Sequence, residues 1–148
     1  MAARDYGPLP ADRGGQPRIL LIRRFDWDDL APLRSAVGAA AARHGVPEVH
    51  RGPLVLAVHE AAANAVRHGG GSGQLLLWLQ AGNLYAEISD HGPGIPEGPR
   101  LLAATPGNGI HERRGLWMIN QISADLNIDT GATGTRLLLR YPIDSPGG

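Results

Sequence analysis

Glu60 and Asn64 stand four residues apart in the run HEAAANAVRHGGG, residues 59–71. On a helix that spacing puts both side chains on one face, a turn apart. A carboxylate beside an amide oxygen fits three settings: a zinc site, a solvated helix surface, or a magnesium–nucleotide site. A helical zinc site needs His-Glu-x-x-His, with both imidazoles on one face. Residue 63 is alanine, and His59 and His68 are nine positions apart, so zinc is rejected. The pair alone does not separate the other two settings.

Three further stretches carry polar residues at turns. DHGPG (90–94) places Asp90 at the end of an apolar run, followed by Gly92 and Gly94. Alone it reads as an Asp-initiated turn. RRGLW (113–117) puts Gly115 at a helix start, after a long segment rich in Gly and Pro. TGATGTRLLL (130–139) is a Gly-Thr turn running into a strand, with Thr135 at the junction. Each is weak by itself. Their order and spacing are not.

The elements that would position these residues follow from periodicity. RILLIRRF (18–25) reads as a strand. Asp26 or Asp28 can cap a helix to about His44, with Leu30, Leu33, Val37 and Ala41 inward and Gly45 at its end. Pro53 suits the first turn of a second helix reaching about Val66, whose apolar stripe is Leu54, Ala57, Val58, Ala61 and Ala65. Glu60 and Asn64 then lie beside that stripe, with Arg67 and His68 continuing the same side. QLLLWLQ (74–80) and LYAEISD (84–90) form a hairpin across AGN. Residues 115–123 read as a helix with Leu116, Ile119 and Ile122 in line; Trp117 and Met118 are packing residues. LNIDTG and GTRLLLRY give a second hairpin. The order β-α-α-β-β-loop-α-β-β predicts an α/β two-layer sandwich. Its mixed, mostly antiparallel sheet carries about three helices on one face.

Composition narrows the class. The 148 residues suit one domain, with residues 1–17 as a loosely held arm, 18–141 as the folded unit and 142–148 as a tail. Lys+Arg and Asp+Glu both number 14, so no basic field recommends nucleic acid. Cysteine is absent, which excludes disulfides and thiolate chemistry. No stretch approaches the roughly 20 apolar residues of a membrane span, and a cytoplasmic location is expected.

Taken together, HEAAANAVRHG, DHGPGIP, RRGLWMINQI and GTRLLLR resemble the N, G1 and G2 boxes and the closing Gly-Thr of the GHKL ATPase superfamily, the Bergerat-fold group. Within it the chain looks most like the small bacterial anti-sigma-factor serine kinases. The resemblance implies ATP with Mg²⁺. Asn64 would bind the metal through its amide oxygen and Glu60 would act as catalytic base. Asp90 would read the adenine amino group, with Thr135 assisting at the base edge. His68, Gly92, Gly94, Ile95, Arg114, Gly115 and Leu116 would complete the nucleotide site. Arg113 and Arg114 read equally as phosphate partners or as solvated residues. The implied activity is phosphorylation of Ser or Thr on an anti-anti-sigma factor, with control of a sigma factor by partner switching. A homodimer is also common in such proteins. One position departs from the pattern: Arg113 stands where the G2 box commonly has glycine, which favours a non-catalytic, nucleotide-gated binding module as the alternative. A detached ATP-binding domain of a histidine kinase is the third reading.

Overall fold

The computed structural model describes residues 16–68, 70–93 and 118–143. Five strands form one sheet: β1 (Arg18–Asp26), β2 (Ser72–Gln80), β3 (Asn83–Asp90), β4 (Asp125–Gly131) and β5 (Gly134–Pro142). Their spatial order is β1-β2-β3-β5-β4. Every pairing among them is antiparallel. The helices are α1 (Leu30–Arg43), α2 (Glu48–His68) and a described helical stretch, α3, at residues 118–122. This is the α/β sandwich that the element order predicts.

Strand alternation divides the sheet into two faces. Leu75, Leu77, Leu84, Ala86, Ile88, Leu137 and Leu139 turn inward and are buried. They meet Leu33, Val37 and Ala41 of α1, Leu54, Val58 and Ala61 of α2, and Ile119 of α3 in one apolar core. A β-bulge between Ile19 and Leu21 shifts the register of β1. At the end of β1, Asp26 caps a 3-10 turn, Trp27–Asp29, by accepting from the Asp28 N–H, and Asp29 returns a bond to the Asp26 N–H. α1 starts directly after this capping box.

Two boundaries differ from the sequence expectation. α2 starts at Glu48, so Pro53 lies inside the helix, not in its first turn. The ring removes one N–H, whose acceptor would be the Val49 carbonyl four residues back. Val49 is 73% exposed, so water can satisfy that carbonyl and the helix extends past the proline. The β2–β3 turn is two residues, Ala81 and Gly82, both at positive φ, and Asn83 already pairs with Gln80. Positive φ at both positions gives the twist that short hairpins need.

Candidate active site

α2 carries the first group. From Ala61 to Val66 it is buried all round, Asn64 included at 6% exposure. Placing Asn64 beside the core stripe therefore understates its burial. The alanines make this possible, because small side chains let neighbouring elements approach the helix from several directions. The Asn64 Oδ1 accepts from Arg67 Nη1 at 3.3 Å, while its Nδ2 is buried with no hydrogen-bond partner. Glu60, one turn earlier, is half-buried.

The second group sits where β3 and β5 meet. Asp90 pairs with Thr135 in the ladder, and both are 9% exposed. Asp90 Oδ1 accepts from the Gly92 N–H at 2.9 Å and from the Thr135 N–H at 3.3 Å. The Thr135 hydroxyl lies 2.7 Å from that of Thr130 across the β4–β5 hairpin. Gly134 is at φ 149°, and a Cβ there would collide with the Asp90 carbonyl oxygen. The carboxylate is thus locked by backbone donors from two directions, and glycine allows the second strand to close on it.

The two groups share one end of the sheet. Gly70, just beyond α2, lies beside Gly92: an added Cβ would sit 3.9 Å from the Gly92 Cα, at ordinary contact distance. A cavity of about 440 Å³ opens beside Asp90, lined by Arg24, Asp26, Asp29, Gln74, Ser89 and His91 among others. Neither Glu60 nor Asn64 lines it. The backbone of His68 ends α2, but its side chain lies outside the described residues, as do Gly94, Ile95, Arg114, Gly115 and Leu116. Sequence reasoning placed Arg67 on the side of Glu60 and Asn64 and Gly134 in the closing Gly-Thr turn but gave neither a role, and it passed over Thr130. The i,i+3 spacing from Asn64 signals the bond of Arg67; the contacts of Thr130 with Thr135 and of Gly134 with Asp90 come only from the strand pairing.

His59 stands beside Glu60 and contacts Arg34 of α1, with Arg34 Nη1 3.3 Å from His59 Nδ1. Burial lowers its pKa from the ordinary value of 6.5; Arg34 and Arg67 push the same way, and Glu60 opposes them. The native state therefore holds this proton less readily than the unfolded chain. Stability is greatest above the unfolded pKa and falls as pH drops through it towards the lower native value. His59→Gln is expected to flatten the fall in melting temperature between about pH 7 and pH 5. An unchanged slope in calorimetric scans would assign the acid sensitivity elsewhere.

A family model described as "Histidine kinase-like ATPase domain" matches residues 24–141. The chain belongs to this family. Among solved structures, it is similar to the RsbU and RsbW domains of Rv1364c from Mycobacterium tuberculosis, with a TM-score of 0.64 and 22% identity. That match covers 88% of this chain and 33% of the other. The histidine kinase domain of the Erythrobacter litoralis EL346 blue-light activated histidine kinase gives a TM-score of 0.53 and 26% identity, covering 77% of this chain and 63% of that one. The chain thus spans about a third of the first and under two thirds of the second. The comparison with curated proteins gave no match. Among the described residues, no helix is long and apolar enough to cross a membrane.

Proposed function

We propose that residues 18–141 form an ATP-binding unit that transfers the γ-phosphoryl group to a serine or threonine of an anti-anti-sigma partner, and so controls a sigma factor by partner switching. The family match supports an ATPase or kinase of this general type. The observation that carries the reading further is the amide of Asn64. A buried polar group without a partner destabilises a fold. Asn64 Nδ2 is such a group, at the position that the family resemblance gives to the metal ligand. The Arg67 bond to its oxygen is long, at 3.3 Å. The Nδ2 donor cannot ligate a metal, but the Oδ1, held only by that long bond, is loosely committed and suits a hard cation that is held by few protein ligands.

In this reading Asn64 would hold Mg²⁺ through its oxygen, and Arg67 beside it would pair with phosphate. Bound Mg²⁺ supplies charge neutralisation across the phosphates. Glu60 takes the proton of the attacking hydroxyl as the new O–P bond forms and ADP leaves. Asp90, fixed by the Gly92 and Thr135 N–H groups, accepts from the adenine amino group.

The test is calorimetry followed by transfer of label. Asn64→Ala is expected to abolish the Mg²⁺ enhancement of ATP binding. It should leave the melting temperature of the free protein unchanged or raised, because the change removes an unsatisfied buried donor. Equal Mg²⁺ enhancement in both proteins would place the ligand elsewhere. Asp90→Asn is expected to weaken ATP and ADP about tenfold or more, since a charge-assisted bond is worth about 1.5–3 kcal/mol. GTP, which presents a carbonyl at that edge, should bind poorly to the wild type. ATP affinity unaltered in Asp90→Asn would remove Asp90 from the adenine site.

A further inference from the structure

Trp78 and Tyr85 are 3% and 8% exposed, yet neither belongs to the core that the helices close. They are cross-strand partners on β2 and β3, stacked with ring centroids 5.1 Å apart and planes 10° apart. Their strand neighbours Leu77, Leu79, Leu84 and Ala86 point to the helices, so the two rings point to the opposite face. Among the described residues, α1, α2 and α3 all pack on the helix side. Side chains on an uncovered antiparallel face stay partly solvated. Farther along this same face that holds: Ile22 is 56% exposed, and Leu76 and Leu138 are half-buried. The burial is local to the aromatic pair and to Gln80 beside it, at 3% exposure. The Trp78 Nε1–H is also buried without an acceptor. A cover that is apolar in body and brings a hydrogen-bond acceptor, such as a carbonyl oxygen, would satisfy the pair.

Both ends of the described chain leave the sheet beside these rings. Arg18 pairs with Leu79 and Ile19 with Trp78, while Pro142 pairs with Asn83. Beyond Ile143 the sequence is Asp-Ser-Pro-Gly-Gly, with no large apolar side chain. Ahead of Gln16 it holds Tyr6, Pro8, Leu9 and Pro10 in one short stretch. The eight residues from Arg18 back to Pro10 reach at most about 28 Å, ample for a ring next to β1.

We propose that residues 6–10 bind across Trp78 and Tyr85 as a ligand carried by the chain itself, extended in polyproline form, with a backbone carbonyl accepting from the Trp78 indole N–H. Proline suits this place chemically. It brings no N–H to strand on an apolar surface, and it holds the chain extended with its carbonyls turned outward. Aromatic-lined surfaces select such segments for the same reason. The contact would fasten β1, the edge strand, to the centre of the sheet on the face away from Glu60 and Asn64. It does not rest on the proposed function.

Fluorescence tests it with Trp78 as the sole reporter, in a Trp27→Phe/Trp117→Phe background. In the full chain Trp78 should emit in the blue and resist acrylamide. Removing residues 1–15 should shift emission to the red and raise quenching several-fold, while removing residues 144–148 should do neither. A free peptide of residues 1–15 should restore protection. Leu9→Asp in the full chain should reproduce the exposure with an unchanged far-ultraviolet circular dichroism spectrum, and it decides the matter if the shortened chain does not fold. Protection that survives Leu9→Asp or loss of residues 1–15 overturns the proposal. Exposure on removal of the tail overturns it too, as does protection that depends on protein concentration.

Discussion

Glu60→Ala is expected to keep ATP affinity within a few fold and to lower phosphoryl transfer by about 10²–10⁴, the usual weight of a positioned general base. Glu60 lies one helical turn before Asn64 on α2 and is half-buried. Its backbone is held by a helix buried on all sides in the next six residues, so its Cα cannot drift from that of Asn64. Replacement by alanine removes the carboxylate without opening a core cavity, and folding should be little affected. The measurement is radiolabelled ATP with a partner captured from native extract, wild type beside variant. Equal transfer by both would refute the role of Glu60. No transfer by wild type, with partner exchange still governed by ATP, would select the nucleotide-gated binding module instead.

Gly134→Val should damage the fold and the carboxylate site together. At φ 149° a branched residue incurs about 1–3 kcal/mol of backbone strain. The new Cβ would also enter the space of the Asp90 carbonyl oxygen, and forcing atoms into a packed site costs a further ~1–3 kcal/mol. For a chain of this length each kcal/mol lowers the melting temperature by roughly 2–4 °C. Thr135 is the next residue, and its N–H holds Asp90 Oδ1. Adenine nucleotide affinity should therefore fall in the surviving folded fraction as well. A variant that melts with wild type would show that β5 can move away from Asp90 at little cost. Gly131, with open space around its Cβ position, is the control: Gly131→Ala should be nearly silent.

The strands were legible because their signals are strong and local. RILLIRRF is a compact apolar run, and both hairpins are marked by glycine between alternating segments. The start of α2 was not, because Pro53 usually marks a first turn, and only the solvent at Val49 permits five helical residues before it. The all-round burial of residues 61–66 was equally hidden. Alanine is as common on exposed helix faces as inside, so AAANAV carries no contrast for periodicity to detect. Glu60 and Asn64 could be paired from spacing alone. The junction of Asp90 with Thr135 could be suspected only from the order of motifs, since their contact comes from β5 inserting between β3 and β4. Ala81 at φ 54° gave no warning, as non-glycine residues seldom adopt that conformation.

The strand order also bears on how the chain assembles. β2 and β3 meet across a two-residue turn, as β4 and β5 do, so each hairpin closes a short loop and can form within microseconds. β1 pairs with β2 only after the chain has passed through both long helices. The loop closed by that pairing, from Asp26 to Ser72, is about as long as the one from Asp90 to Thr135 that joins β3 to β5, so both closures are costly and the two hairpins form before either. Local opening is therefore expected at the two edge strands, β1 and β4, before the centre of the sheet.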